Sequence, residues 1–259
     1  MLGRSDLHEY QINAIDFLRK KNGRFLDMGL GKTATSLTVA SEFLDQNTVS
    51  RVLIVAPLRV ANTVWKQESE KWGHLAHLKI GICTGTPLNR KKILAGDYDI
   101  IVINRENIPW LVSNDSDFNM VIVDESSSFK SHASQRFKAL RKITTKCKSV
   151  ILLSGTPSPN GYKDLWAQIY LLDDGARLGK NITEFRRRYC TDVGYGYSDW
   201  VVNESARDVI KESIADLCVS MSADDYLSLP PRIDLVEFID LPPAVVKIYE
   251  KMKRDFLYQ

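Results

Sequence analysis

Two short stretches of this chain carry residue types suited to phosphate chemistry. The first is Met28-Gly29-Leu30-Gly31-Lys32-Thr33, entered from the apolar pair Phe25-Leu26 and followed by a helix-compatible run over residues 34–44. Glycines let the backbone curl until successive N–H groups converge on an anion, and a helix that follows adds its positive N-terminal end. Lys32 could then reach the β- and γ-phosphates of a nucleotide, and the Thr33 hydroxyl could ligate Mg²⁺. The strict pattern asks for a further glycine where Leu26 stands, so the loop is a variant. The second stretch is Asp124-Glu125, at the end of the apolar segment Met120-Val121-Ile122-Val123. Asp124 could hold Mg²⁺ opposite Thr33, and Glu125, one residue on, could orient or deprotonate an attacking water. Each stretch alone also reads as a turn. In combination they read as one ATP site, with Lys32, Asp124 and Glu125 catalytic and residues 28–33 binding the phosphates.

The elements that must position these residues follow from hydrophobic patterning. Apolar runs at residues 52–56, 79–83, 98–103, 120–123 and 149–153 read as buried strands, and amphipathic helices lie between them, over 34–44, after Pro57, and around Ala133, Phe137 and Leu140. Alternation of this kind implies βαβ units and a parallel sheet, whose sites gather at the carboxyl ends of the strands. Ahead of the loop, Leu7-His8-Glu9-Tyr10-Gln11 leads into Ile12, Ile15 and Leu18 at helical spacing. An amide carries both a donor and an acceptor, so Gln11 could read the N6 amino group and N7 of adenine together. Ser154 and Thr156, small hydroxyl residues at a strand end, could sense the γ-phosphate. The alternation breaks down after Asp173. The basic, aromatic segment 184–189 and the loop 194–200 follow, and their aromatics are expected to pack rather than stack on bases. Residues 229–231, Leu-Pro-Pro, then lead to a strand-like run over 233–239 and a final helix over 244–258. The expected division is a nucleotide-binding lobe over 1–172, an accessory segment over 173–228, and a returning strand and linker helix over 229–259.

Composition narrows the classes. A charged fraction of 26% beside 44% hydrophobic residues is that of a globular protein and argues against disorder. The net charge of +3 does not by itself call for a nucleic-acid partner. Four scattered cysteines without a CxxC pair suggest neither a zinc site nor a disulfide framework, and fit a reducing cytoplasm. Charges in the first 20 residues exclude the apolar core of a signal peptide, and no apolar run reaches the roughly 18 residues that span a membrane.

Taken in order, these motifs resemble the first motor lobe of superfamily 2 helicases, and within it the Swi/Snf-like ATP-dependent DNA translocases. Residues 7–11 are similar to the family's adenine-reading motif and 28–33 to its phosphate loop. Residues 52–72, with Ala56-Pro57, Trp65, Glu68 and Trp72, resemble motif Ia and its helix, and 101–107 motif Ib. Asp124-Glu125 with Lys130 resembles motif II, and 154–157 with Asn160, Leu165 and Trp166 motif III. Ser126 and Ser127 stand where the family commonly has Ala-His. The resemblance implies an α/β RecA-like P-loop lobe using ATP and Mg²⁺. It also implies contact with a DNA backbone through Pro57, Leu58, Arg59, Asn104 and Arg105, and coupling through Ser154 and Thr156. An RNA helicase or a restriction-system motor subunit shares the same lobe, and a non-catalytic, nucleotide-dependent binding module is the rival outside enzymes. The family's motifs IV to VI, with their arginine finger, do not occur in these residues. The expectation is therefore a lobe nearly inactive without a partner lobe, cytoplasmic or associated with the nucleoid or nucleus.

Overall fold

The computed structural model describes residues 1–19, 24–27, 31–114, 117–155, 158, 161–220, 235 and 237–257, with only the backbone course given for 24–27 and 255–257. Seven strands form one sheet: β1 (Arg24–Asp27), β2 (Val52–Ala56), β3 (Ile80–Cys83), β4 (Ile100–Asn104), β5 (Met120–Val123), β6 (Ser149–Ser154) and β9 (Cys218–Ser220). Their order is β3-β4-β2-β5-β6-β1-β9, and every pairing is parallel. An antiparallel pair, β7 (Cys190–Asp192) with β8 (Trp200–Val202), stands apart from it.

Strands β2, β4, β5 and β6 are buried along their whole length, as their uninterrupted Val, Ile and Leu require, because helices cover both faces. Leu53, Val55, Ile101, Ile103, Val121, Val123, Val150 and Leu152 share one core with the helices on their side, and the intervening residues face the other way. α1 (Glu9–Arg19), α2 (Lys32–Asp45) and α3 (Leu58–Lys71) pack in sequence on one side; α5 (Ile108–Val112), α6 (Gln135–Thr144) and α7 (Leu165–Asp173) pack on the other. Right-handed crossovers account for the split, since connections moving in opposite directions along a parallel sheet must place their helices on opposite faces. α4 (Pro87–Leu94) connects β3 to β4; Thr86 caps it, accepting from the Asn89 N–H, and Pro87 opens its first turn.

The core runs on across residue 172. α8 (Ile182–Tyr189) and α9 (Glu204–Ile214) contribute Phe185, Tyr189, Ala206, Ile210 and Ile214 to the same cluster as the central strands, and β9 extends the sheet beside β1. Met1–Tyr226 form one compact unit and Leu227–Gln259 a second, smaller one. A three-residue strand, Cys218-Val219-Ser220, is too short for a periodicity to reveal, which is why β9 was not expected. Two sequence expectations need correction. Within 233–239 the described residues, Leu235 and 237–239, lie in no strand and are exposed, and the rest of that run lies outside the described residues. On the turn between β7 and β8, Tyr195 and Tyr197 are 96% and 72% exposed and do not pack; Trp200 stacks under Arg186 instead. The final helix spans Pro243–Leu257. Among the described residues no helix is long and apolar enough to cross a membrane.

Phe185 is completely buried, so Phe185→Ala should destabilise the main unit by about 3–5 kcal/mol. Denaturant unfolding checks this: the loss should appear in a single transition shared with the sheet. A separate early transition, with the main one unmoved, would show that residues 173–220 fold as an independent appendage.

Candidate nucleotide and nucleic-acid site

Parallel pairing places the carboxyl ends of the seven strands of the main sheet at one edge, and the described candidate residues gather there. Along that edge the order is the β4 loop with Asn104 and Arg105, the β2 loop with Pro57, Leu58 and Arg59, the β5 end with Asp124 and Glu125, the β6 end with Ser154, and the β1 end leading to Lys32 and Thr33. The acidic pair thus stands between the proposed nucleic-acid half and the proposed nucleotide half. Asp27 is in register with Ser154, so the γ-phosphate-sensing candidate adjoins the strand that enters the glycine loop. Met28, Gly29, Leu30 and Thr156 lie outside the described residues, as do Pro157, Asn160 and the Leu-Pro-Pro at 229–231.

Gly31 has φ +77°, left-handed backbone that a side chain resists, and it precedes the first turn of α2. A Cβ there would also come within 2.3 Å of Gln11 Nε2. Gln11 is buried, and its Oε1 accepts from the His8 backbone N–H at 2.9 Å. The adenine-reading candidate therefore lies against the last glycine of the loop. Lys32 and Thr33 open α2, and Lys32 Nζ is 3.9 Å from Glu125 Oε1.

Asp124 and Glu125 differ in surroundings. Burial pushes the Asp124 carboxyl above its ordinary range; Lys32 opposes the shift, Glu125 adds to it, and the Glu125 backbone N–H, 3.1 Å from Oδ1, also opposes it. The indole of Trp65, wholly buried on α3, adds a weaker favourable influence although its N–H makes no close hydrogen bond. Such a carboxylate, short of compensating charge, is suited to a cation. With the hydroxyl of Thr33 it could supply the few protein oxygens needed by a Mg²⁺ whose other ligands are phosphate oxygens and water. Glu125 is more open, at 45% side-chain exposure, and adopts φ 50°, ψ 55°. A non-glycine residue in that left-handed region is strained by roughly 1–2 kcal/mol. The conformation turns the chain sharply into the 3₁₀ turn Ser126–Phe129.

Ser126, in place of the family's commoner Ala, is fully buried and donates to Gln168 Oε1 on α7 at 2.8 Å; Gln168 Nε2 donates to the Asp164 carbonyl at 3.0 Å. Lys130 Nζ lies 3.3 Å from Asp164 Oδ2. The segment after the acidic pair is thereby tied to the helix that follows the Ser154 loop. The serine itself was visible in the sequence, but its partner was not, because Gln168 lies on a helix whose other residues read as plain core. Of the nucleic-acid candidates, Leu58 and Arg59 are exposed, Arg105 is half-buried, and Asn104 is only 6% exposed. Asn104 differs from the expectation of an open phosphate contact: its side chain donates to Glu106 at 3.0 Å and accepts from Asn107, so it braces its own loop.

Ser126→Ala removes the donor from this buried pair and should lower stability by about 1 kcal/mol or more in denaturant unfolding. Unchanged or increased stability would show that the pair contributes nothing to holding α7.

Comparison with known proteins agrees with this geometry. Residues 10–259 match the SNF2-related domain. Protein p41 of Acyrthosiphon pisum secondary endosymbiont phage 1 is 31% identical over 253 residues, covering 93% of this chain and 55% of p41. The DNA annealing helicase and endonuclease ZRANB3 of Bos taurus is 29% identical over 272 residues, covering 97% of this chain and 25% of that protein. The Sulfolobus solfataricus SWI2/SNF2 ATPase core in complex with dsDNA superposes with a TM-score of 0.71 at 27% identity, over 84% of this chain and 45% of that one. The chain thus spans 55% of p41 and smaller shares of the other two. Its mostly parallel sheet flanked by helices is the RecA-like fold of the SWI2/SNF2 ATPase core. A match over nearly the full length, on a fold that gathers Lys32 and the acidic pair at one sheet edge, means that the chain belongs to the SNF2-related domain family.

Proposed function

We propose that this chain is an ATP-binding motor lobe that couples nucleotide hydrolysis to movement along DNA. The observation that supports it most directly is the meeting of Lys32 with Asp124 and Glu125 at the carboxyl edge of the parallel sheet, beside two loops carrying Arg59 and Arg105. In this reading residues 28–33 cradle the phosphates, Gln11 meets the base, and Lys32 neutralises charge on the β- and γ-phosphates. Thr33 and Asp124 hold Mg²⁺, which supplies further charge neutralisation when bound. Glu125 orients the attacking water and takes its proton. Ser154, in register with Asp27 at the entry to the loop, and Thr156 report the state of the γ-phosphate to the rest of the edge. DNA backbone crosses the Pro57-Leu58-Arg59 and Asn104-Arg105 loops, and such phosphate contacts grip without reading sequence. The name ZRANB3 carries, DNA annealing helicase, and the duplex DNA bound by the Sulfolobus core favour DNA over RNA as the track. A second RecA-like lobe supplies the arginine that neutralises the transition state.

Calorimetry with MgATP separates the roles. Lys32→Ala should abolish detectable binding, whereas Glu125→Gln should bind nearly as wild type while turnover falls by roughly 10² or more. Unchanged affinity in Lys32→Ala overturns the loop assignment; affinity lost in proportion to rate in Glu125→Gln makes that residue structural. An arginine finger typically contributes 10³ to 10⁵ in rate. Residues 1–259 alone should therefore bind ATP yet hydrolyse it at least about a thousandfold more slowly than a protein carrying both lobes, with little stimulation by duplex DNA. Fast, DNA-stimulated turnover by this chain alone would overturn the two-lobe mechanism.

A further inference from the structure

The loop after β4 carries a charge cluster that joins it to the first turn of α6. Glu106 follows Arg105, and its carboxylate accepts from Arg105 Nε at 2.9 Å and from Asn104 Nδ2 at 3.0 Å. Arg136, from a part of the chain that no motif singled out, brings Nη1 to 3.6 Å from Glu106 Oε1. Arg136 is there because Ser134 caps α6, accepting from the Phe137 N–H, and so starts the helix at Gln135. α6 runs back from the carboxyl end of β5 to the start of β6, so its first turn lies at the same sheet edge as the β2 and β4 loops. Partial burial works against the charge on Glu106, but the bonds from Asn104 and Arg105 outweigh it and hold the carboxyl below its usual range.

Two guanidinium groups drawn to one carboxylate, which the buried Asn104 amide holds from behind, form a pair of donors that a phosphodiester takes. The side chain of Glu106 is 51% exposed and those of Arg105 and Arg136 are 31% and 37% exposed, so the carboxylate can rotate out and an incoming anion can reach both guanidiniums. We propose that Arg136 is a further phosphate contact of the DNA track, and that Glu106 is a built-in stand-in for phosphate which the DNA backbone must displace from Arg105 and Arg136. The inference rests on the nucleic-acid reading of this edge. Its consequence is a restraint on affinity: without DNA the carboxylate keeps the two arginines together and oriented, and each phosphate that binds there competes with it. A motor that must release its track at every step is served by a grip weakened in this way.

Fluorescence anisotropy of residues 1–259 with a short mixed-sequence duplex, over a series of salt concentrations, tests both parts. Arg136→Ala should weaken binding and reduce the slope of log affinity against log salt by about 1, and Arg136→Lys should keep the slope. Glu106→Gln should bind up to about 5-fold more tightly, the scale of one exposed ion pair. Thermal melts of each variant establish that it is folded. If Arg59→Ala and Arg105→Ala lower the slope but Arg136→Ala does not, Arg136 is no phosphate contact and the proposal fails while the nucleic-acid reading stands. If Glu106→Gln weakens binding, Glu106 braces the loop instead of competing, and its assigned role is overturned. If the wild-type chain shows no salt-dependent binding to duplex at all, the reading of the edge falls and this proposal falls with it.

Discussion

Parallel pairing of the central strands is the constraint on which the rest depends. A parallel ladder can only be built from strands joined by crossovers, so each strand returns to the same starting edge before the next begins. Every loop that follows a strand therefore opens at the opposite edge. Residues 27, 56, 104, 124 and 154, far apart in the chain, become neighbours there through Asp27↔Ser154 and Ala56↔Asn104 and the pairings between them. The jump from β1 across β6 and β5 to β2 leaves the acidic pair of β5 in the middle of that edge. The loops after β4 and β2 and the entry to α2 are thus two ends of one row, with Asp124 and Glu125 between them.

Electrostatics then sets what each position can do. Ionisation of Asp124 is disfavoured by burial, which Lys32 and one backbone N–H only partly offset. Glu125, one residue on, is more exposed and lies 3.9 Å from Lys32 Nζ, and its left-handed backbone is strained. Two adjacent carboxylates thus receive different surroundings from a single turn. The same logic recurs at Glu106, where neighbouring donors outweigh burial and keep the charge in place.

The segment after the acidic pair shows how a departure from the family pattern is accommodated. Ser126 is placed in full burial, where an unpaired hydroxyl would be costly, and the structure answers it with Gln168 on α7. Lys130 and Asp164 add a second tie between the same two segments. These bonds tie the segment after β5 to the helix that follows the Ser154 loop.

Much of this was legible in the sequence. Apolar runs bounded by turn residues marked β2, β3, β4, β5 and β6, because a strand buried on both faces has no polar positions to confuse its pattern. Gly29-Leu30-Gly31-Lys32-Thr33 and Asp124-Glu125 stood out because phosphate chemistry permits few residue types at close spacing; the parallel α/β sheet followed from the alternation of strands and helices, and its RecA-like form from the resemblance to the helicase lobe. Tertiary structure alone decided the rest. β9 is three residues long and shows itself only by pairing with β1; the core crosses residue 172 because Phe185 and Ile210 find apolar partners on the sheet's face, which no local pattern could reveal. Asn104 turned inward, and Tyr195 and Tyr197 outward, because a side chain's environment depends on what packs above it and not on its own type. Glu106 and Arg136 meet only because α6 begins at the edge where β4 ends, a proximity set by strand order and invisible in any window of the chain.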